Sequence, residues 1–586
     1  MAATVDERAA PTCSPSGRDP AAGPLAMADA FASATLLRCW IREGGDLRRE
    51  GDDLIVDLPA SETRLVAPVR YWSHCGWHEF GPVRLGAGTP ADATTVATLL
   101  TLEMAARGAT APQATADLVE RVIDSTRRIT RHLEVRGAEP SDRSAGSPFL
   151  DAEQALVLGH PLHPTPKSRA GLTDAEADAY SPELRGEFAL FWFAAHPDVV
   201  AADSATGGAA ADLLRGLAGD VDVPAGMVPV PAHPWQAADV LRRPGVRSLV
   251  ADGRLRPLGQ SGPRWSPTSS VRTVYRADTA YMLKLSLALP ITNSRRENLR
   301  KELRRGVEMA RMLDAGLAGE IHAAHPGFGV VADPAWVTVD APGQAESGLE
   351  LVVRANPFGA GVRVQCLAGL VSQRPDRDGR SLLAGLVHAL AERTGRTVAD
   401  VGGEWFTRYL DAVPAPVLWL YAAHGIGLEA HQQNTLVVLD ESGWPVGGRY
   451  RDNQGYYYNR ARAEDLRRWA PQVGVESDAL CDEDLIDERL GYYLGINNVL
   501  GLVGAMGSQG LADEEVLLRA VRRLLHRIGT EHTPVPGVVR ALLEEPTLPC
   551  KANLLTRLAG MDELVGPVAT QSVYRPMPNP IATVVA

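Results

Sequence analysis

The most constraining stretch of the chain is YMLKLSLALPITNSRREN, residues 281–298. Tyr281, Leu283, Leu285, Leu287 and Leu289 recur at a period of two, so in a strand they share one sheet face. Lys284 and Ser286 then fall on the opposite face. VRTVYR (271–276) and the short ADTA turn before it make this the second arm of an antiparallel hairpin. Beyond it, Leu299, Leu303, Val307, Ala310 and Leu313 have helical spacing, with Asn293 or Ser294 as the N-cap. The chain must therefore build a sheet with one apolar face and one functionalised face, closed by a helix.

Residues 1–26 are rich in Ala, Pro, Gly and Ser and read as a disordered tail. Phe31, Leu36, Leu37, Trp40 and Ile41 predict a helix. DDLIVDLPA and TRLVAPVRYW predict strands, and two helices follow at 91–107 and 113–134. A second hairpin is expected from NTLVVLD (434–440) and WPVGGRYRD (444–452) in a C-terminal part that is otherwise mainly helical. The Pro-rich segment from 567 is expected to lie over the surface. The fold class is α+β with antiparallel sheets.

Composition narrows the function. The 586 residues carry 59 Lys and Arg against 71 Asp and Glu, a net charge of −12. That balance disfavours a general nucleic-acid binder but permits a local anion pocket. Six cysteines, at 13, 39, 75, 366, 481 and 550, form no C-x-x-C pair and read as reduced thiols. No run approaches the roughly 18 apolar residues of a membrane span. The expectation is a soluble cytoplasmic protein without membrane or nucleic-acid partners.

Five clusters carry chemistry. GHPLHPTPKSRAGL (159–172) cannot be a regular helix, because each Pro bars its predecessor from the helical region. A rigid loop presenting His160, His163, Lys167 and Arg169 is expected, either as an anion site or as a solvated basic loop. VPVPAHPWQ (228–236) adds a third His-Pro pair, and packing is its simpler reading. SPTSSVRT, 266–273, offers Ser270, Arg272 and Thr273 beside Lys284. If 270–272 is an extended strand, Ser270 and Arg272 share a face, and hydroxyl, guanidinium and ammonium together suit phosphate oxygens. In the basic run from Arg295 to Arg305 most side chains read as a solvated helix face. Arg296, at the helix start, would favour an anion. Finally HGIGLEAHQQN (424–434) and RYRDNQG (449–455) flank the second hairpin. The pairing can return Asp452 close to Glu429 and Asn434, and such oxygen ligands suit Mg²⁺. Neither H-R-D nor D-F-G is present, and there is no Walker loop or G-x-S-x-G.

In this order and spacing the motifs LRCWIRE (37–43), GHPLHPTPKSRAG, PAHPWQ, SSVRT, KLSLALPITNSRREN, EAHQQN and RD (451–452) resemble the siderophore synthetases that work without a nonribosomal peptide template, the aerobactin-synthetase-like family. The resemblance spans about residues 30–560. It implies a cradle of thumb (27–150), fingers with the nucleotide hairpin (151–375) and palm with the metal and catalytic loop (376–586), and a homodimer. It also implies adenylation of a carboxylic acid by ATP and Mg²⁺, then attack by an amine, hydroxylamine or alcohol. By motif match, Ser270, Arg272, Thr273 and Lys284 would hold the phosphates. Arg296 and His431 would face nucleotide and carboxylate. Glu429 and Asp452, with Asn434 beside them, would bind metal, and His160, His163, Lys167, Arg169 and Lys551 would line the carboxylate pocket. LRCWIRE is most like the citrate-activating branch. Arg295 stands where the family more often has an apolar residue, and a solvated side chain is the expectation. The alternatives are a synthetase acting on a dicarboxylate or succinyl-hydroxamate, a small-molecule kinase, and a non-catalytic binding protein.

Overall fold

The computed structural model describes residues 23–585 except 87, 109–111, 141–143, 145, 293, 376–378 and 562–571. Most of the predicted tail, including Cys13, lies outside these residues. The first helix, Pro24–Arg42, starts two residues before the expected tail boundary, with Pro24 in the first turn where its missing N–H costs nothing. It packs with strands Asp53–Leu58 and Thr63–Tyr71 and with helices Ala93–Ala106 and Pro112–Gly137. Their shared core contains Leu36, Leu37, Trp40, Leu54, Val56, Leu65, Val96 and Leu118. Leu554, Leu555 and Leu558 from the far end of the chain complete it.

The central layer is an eight-stranded antiparallel sheet. Its strand order is Val200–Ser204, Ala335–Val339, Leu351–Ala355, Tyr281–Leu285, Thr273–Tyr275, Leu255–Pro267, Phe188–Ala195 and Val228–Ala232. The hairpin register pairs Thr273 with Lys284 and Val274 with Leu283. Leu283 and Leu285 enter the apolar core with Val274, Val337 and Val353, as the alternation requires. Each such leucine contributes about 1.5–3 kcal/mol by leaving water.

The expected single long strand is broken at Ser286. The Ser286 hydroxyl donates to the Glu350 carbonyl (2.8 Å) and accepts from the Asn298 N–H (3.0 Å), ending the ladder. Leu287–Ile291 then turns away to pair with Ser294–Arg296, and Leu287 and Leu289 join a separate cluster with Val271. The following helix consequently starts at Arg300. The expected N-cap Asn293 lies outside the described residues. Arg296 is thus on a strand, not at a helix N-terminus: Pro290 and the turn at Thr292 (φ +56°) spend those residues on a hairpin.

The C-terminal half wraps helices, among them Val398–Ala412, Pro414–His424 and Glu514–Glu531, around a four-stranded sheet. That sheet contains the expected second hairpin, Thr435–Leu439 with Pro445–Tyr450. The segment past 571 is not a surface tail. Tyr574–Pro578 pairs antiparallel with Thr547–Lys551, and Met577 and Ile581 are buried. A two-stranded ribbon is all edge, so its prolines remove no interior ladder bond. Among the described residues no helix is long and apolar enough to cross a membrane.

Candidate active site

A cavity of about 330 Å³ opens between the central sheet, the 159–172 loop and the C-terminal hairpin. Every residue given a site role by motif match lines it: His160, His163, Lys167, Arg169, Ser270, Arg272, Thr273, Lys284, Arg296, Glu429, His431, Asn434, Asp452 and Lys551.

Ser270 and Arg272 reach the cavity by a different route from the one expected. They lie on a tight loop, not on a strand, and Val271 between them has φ +67°. The loop is closed by Thr268 N–H to Thr273 O and Val271 N–H to Thr268 O, both 2.8 Å. Positive φ in a β-branched residue is strained and is retained only where the surroundings enforce it. Here the Val271 side chain is buried with Leu287 and Leu289. Arg272 donates to Arg296 O (2.7 Å), Asn298 Oδ1 (2.9 Å) and Gln454 Oε1 (3.2 Å). All three acceptors are neutral. Burial, and next the nearby Arg296, pull its pKa down to about 10. Arg296 donates to Ile291 O (3.2 Å) and Thr292 Oγ1 (2.6 Å), again neutral. Two buried or half-buried guanidiniums thus carry positive charge that no carboxylate among the described residues answers. Arg295, by contrast, is exposed and outside the cavity, as a solvated side chain should be.

Lys284 crosses to the second hairpin. Its ammonium pairs with Asp452 and donates to Asn453 Oδ1 (2.6 Å). Burial lowers its pKa to about 8. Asp452 also receives Arg354 Nη2 at 3.2 Å. Burial opposes its ionisation, but Lys284 and Arg354 outweigh that and hold the carboxyl well below the usual range. Glu429 behaves oppositely: burial and the nearby Asp452 raise it to about 7. Gly455 makes room for it, since a Cβ there would lie 2.3 Å from Glu429 Cβ. Asn434 Nδ2 donates to Glu429 O (3.1 Å), and the Asn434 N–H reaches His431 Nδ1 (3.3 Å). His431 therefore accepts on Nδ1 and carries its proton on Nε2, 3.7 Å from Glu429 Oε1. Burial lowers its pKa to about 4, so it is neutral near pH 7.

The first loop is partly answered from within. Glu183, buried, pairs with Lys167 and accepts from Arg169 Nη2 at 2.7 Å, while Arg169 Nη1 donates to Ser181 Oγ at 2.6 Å. Two cations against one carboxylate leave one positive charge. His160 takes the Leu162 N–H on Nδ1 (3.0 Å) and meets Asn497 Nδ2 on Nε2 (3.2 Å). Gly159 (φ +90°) lets Pro166 and Lys167 pack close. His233 is outside the cavity: it caps the helix Pro234–Val240 among the Tyr180 and Phe188 rings. Its neighbour Gln236 instead ties Ala288 N–H (2.7 Å), Gly348 O and Glu297 together.

Sequence reasoning missed three supports. Arg354 binds Asp333 through two parallel bonds (2.7 and 3.0 Å) before touching Asp452. Its period-two place in LVVRA, opposite Leu351 and Val353, was the available signal. Asn298 donates to Lys284 O and Glu350 O while accepting from Arg272. Arg451 pairs with Glu153 (2.7 Å), whose other oxygen holds the Ser269 N–H. Arg305, assigned to the solvated face, is buried against the carbonyls of Gln454, Ser477 and Asp478. The described cysteines are all free thiols.

The family model described as IucA / IucC family matches residues 148–372, and that of the ferric iron reductase FhuF-like transporter matches 403–566. A rhizobactin siderophore biosynthesis protein, RhbC of Rhizobium meliloti, is 39% identical over 92% of this chain and 94% of its own length. The chain belongs to the IucA / IucC family of siderophore synthetases. It is a ligase of the siderophore-biosynthetic type. The spermidine-citrate ligase of Bacillus anthracis is 36% identical over 90% of each chain. Among solved structures, the ATP-bound aerobactin synthetase IucA of Klebsiella pneumoniae superposes with a TM-score of 0.85 at 28% identity, covering 94% of this chain and 99% of that one.

Proposed function

We propose that this siderophore synthetase uses ATP and Mg²⁺ to adenylate a carboxylic acid, with citrate the preferred acid, and transfers the acyl group to an amine. The observation that carries the reading is one cavity holding guanidiniums without carboxylate partners among the described residues (Arg272, Arg296), a strand-borne ammonium (Lys284) paired with Asp452, and a second buried carboxylate, Glu429. Relatives at 39% and 36% identity are named for siderophore biosynthesis and for joining spermidine to citrate, and the similar IucA structure holds ATP.

In this reading Arg272, with Ser270, Thr273 and Lys284, binds the phosphates. Arg296, His160 and Lys551 hold the acid. Its carboxylate oxygen attacks the α-phosphorus, the bond to the β-phosphate oxygen breaks, and pyrophosphate leaves. The attack brings two anions together, so the site needs fixed positive charge more than a base. Neutral His431 can donate from Nε2 to the carboxylate. The amine nitrogen then attacks the acyl carbon, AMP departs with the C–O electron pair, and the nitrogen loses its proton to water. Glu429 fits a divalent cation: burial and the nearby Asp452 raise it to about 7, which marks one buried carboxylate short of positive charge, while Asp452 beside it is already answered by Lys284 and Arg354. Glu429, Asp452 and Asn434 would hold the ion, which when bound neutralises phosphate charge.

The test is nucleotide-product analysis with ATP, Mg²⁺, hydroxylamine and a panel of carboxylic acids. AMP and pyrophosphate formed with citrate support the reading. The same products with another acid keep the chemistry and move the substrate. ADP would establish a kinase instead.

A further inference from the structure

Two hydrogen-bond donors face each other in the cavity wall, His160 and Asn497. His160, open to the cavity, takes the Leu162 N–H on Nδ1 at 3.0 Å. The same bond, from the N–H two residues on, makes Nδ1 an acceptor at three further His-Pro steps, those of His163, His196 and His233. A proton on Nδ1 would meet the Leu162 N–H, so His160 carries its proton on Nε2. That Nε2 lies 3.2 Å from Asn497 Nδ2, and an amide nitrogen is also only a donor. Turning the Asn497 amide over brings no relief. Its Oδ1 accepts the Gln432 N–H at 3.1 Å, and a flipped amide would set Nδ2 against that N–H instead. One acceptor thus serves two fixed donors, and one N–H is left facing the NH₂ group whichever way the amide lies. An aspartate at 497 would accept from both. The surroundings hold the clash in place. Asn497 belongs to the π-helical stretch Gly491–Leu500, a winding frequent at functional sites. Its buried neighbour Asn498 donates to Ala430 O (2.7 Å) and Thr435 Oγ1 (3.0 Å). Asn553 Nδ2 donates to Leu162 O (2.8 Å) and braces the His160 loop.

We propose that Asn497 is a further acid-binding residue, its amide N–H and the His160 Nε2–H converging on one carboxylate oxygen of the acid. This rests on the adenylation reading, which puts the acid beside His160. Two donors 3.2 Å apart can share one oxygen lying about 2.9 Å from each. Such bonds are roughly twice as strong to an ionised acceptor as to a neutral one, so an anion gains most from the pair. The residue type fits this role and not a purely structural one. Aspartate would bond both neighbours and suit the folded chain better, but it would set a negative charge against the incoming carboxylate. Asparagine gives up a bond within the protein and keeps a donor turned towards the acid.

The test pairs Asn497→Asp with Asn497→Ala. It reads melting temperatures with and without citrate, and the KM values for citrate and ATP from AMP release with hydroxylamine as nucleophile. Another acid of the panel replaces citrate if that acid is the one yielding AMP. Asn497→Asp should melt at or above the wild type, because its carboxylate accepts from both Gln432 and His160. Its KM for citrate should nonetheless rise by more than about tenfold, and the upward melting shift that citrate gives the wild type should vanish. Asn497→Ala removes one donor without adding charge. Its KM for citrate should rise by about tenfold, the size of one hydrogen bond to a charged group, and it should melt below Asn497→Asp. The KM for ATP should move far less in both. Asn497→Asp melting below Asn497→Ala would show Nδ2 donating to an unprotonated His160 Nε2, and the donor pair would be overturned. An unchanged KM for citrate in Asn497→Asp, or an equal rise for citrate and ATP, overturns it as well. A wild-type enzyme that releases no AMP with any acid refutes the adenylation reading alone, since the melting order and the citrate-induced shift still decide the pair.

Discussion

Arg354→Met tests how the carboxylate at the end of the second hairpin is held. Arg354 and Asp333 are both nearly inaccessible to water and share two parallel hydrogen bonds of 2.7 and 3.0 Å. Removing the guanidinium alone strands a buried carboxylate, a change that costs about 3–5 kcal/mol in comparable pairs. The thermal midpoint should fall on the order of 5 °C or more. Removing both charges, in Arg354→Met with Asp333→Leu, should restore stability to within about 1 kcal/mol, because an apolar pair of similar volume avoids the desolvation cost altogether. Activity should not follow. Asp452 would still have lost one of the two cations that touch it, keeping only Lys284. Acid-dependent AMP release should stay down by about a hundredfold in the double variant, the scale of losing one preorganised charge contact. Melting curves and AMP release on the two single variants and the double variant complete the cycle. A single Arg354→Met variant within about 1 kcal/mol of wild type would show that the pair is not what holds Asp333. Full activity in the double variant would show that Arg354 acts only through Asp333 and has no part in orienting Asp452.

Arg272→Ala and Lys284→Ala should each lower acid-dependent AMP formation by about a hundredfold or more, and normal turnover in both would overturn the phosphate assignment. Gly159→Ala places an L side chain at φ +90°, with its Cβ 2.8 Å from Pro166 Cβ and 2.9 Å from Lys167 Cε. It should cost about 1–2 kcal/mol in backbone strain alone and raise the KM for the acid more than that for ATP. Equal changes in both constants would detach this loop from the acid. Glu43 is buried and accepts the N–H groups of Leu554 and Leu555, both at 2.8 Å, just after Lys551 in the chain. Burial raises its pKa to about 7. The folded chain thus holds this proton more tightly than the unfolded one. The contribution is full below the ordinary glutamate pKa and is lost as pH rises through 7, roughly 3 kcal/mol in all. Glu43→Gln lacks that dependence, so its melting temperature relative to wild type should climb from pH 5 to pH 8. Parallel curves would contradict it.

What the sequence made legible was periodicity and identity. The alternation around Lys284 placed it opposite the leucines correctly, and the second hairpin brought Asp452 to the Glu429 loop. What was illegible was where regular structure stops. Val271 at φ +67° breaks the strand that Ser270 and Arg272 were expected to share, because burial with Leu287 and Leu289 overrides the preference of a β-branched residue. The chain after Pro290 forms a hairpin where helical spacing was expected from Asn293, because that spacing begins in earnest only at Leu299. The strand Tyr574–Pro578 was invisible as a strand because prolines mask it, and only its partner 547–551 reveals it.

The larger gap concerns charge. A sequence counts cations but does not say which ones the fold has already answered, and that distinction locates the substrate. Lys167 and Arg169 read as an anion site or as a solvated basic loop, yet Glu183 reaches Arg169 and Lys167 from 14 and 16 residues away. Arg451 is met by Glu153 and Arg354 by Asp333. Among the described residues Arg272 and Arg296 meet only carbonyl, amide and hydroxyl oxygens. A buried guanidinium surrounded by neutral acceptors is less stable than one paired with an anion, as the depressed pKa of Arg272 records. A polyanion entering the cavity gains most where that deficit is largest. It should therefore settle on Arg272 and Arg296, while the Lys167–Arg169–Glu183 triad, with its single uncompensated charge, shapes the wall beside it.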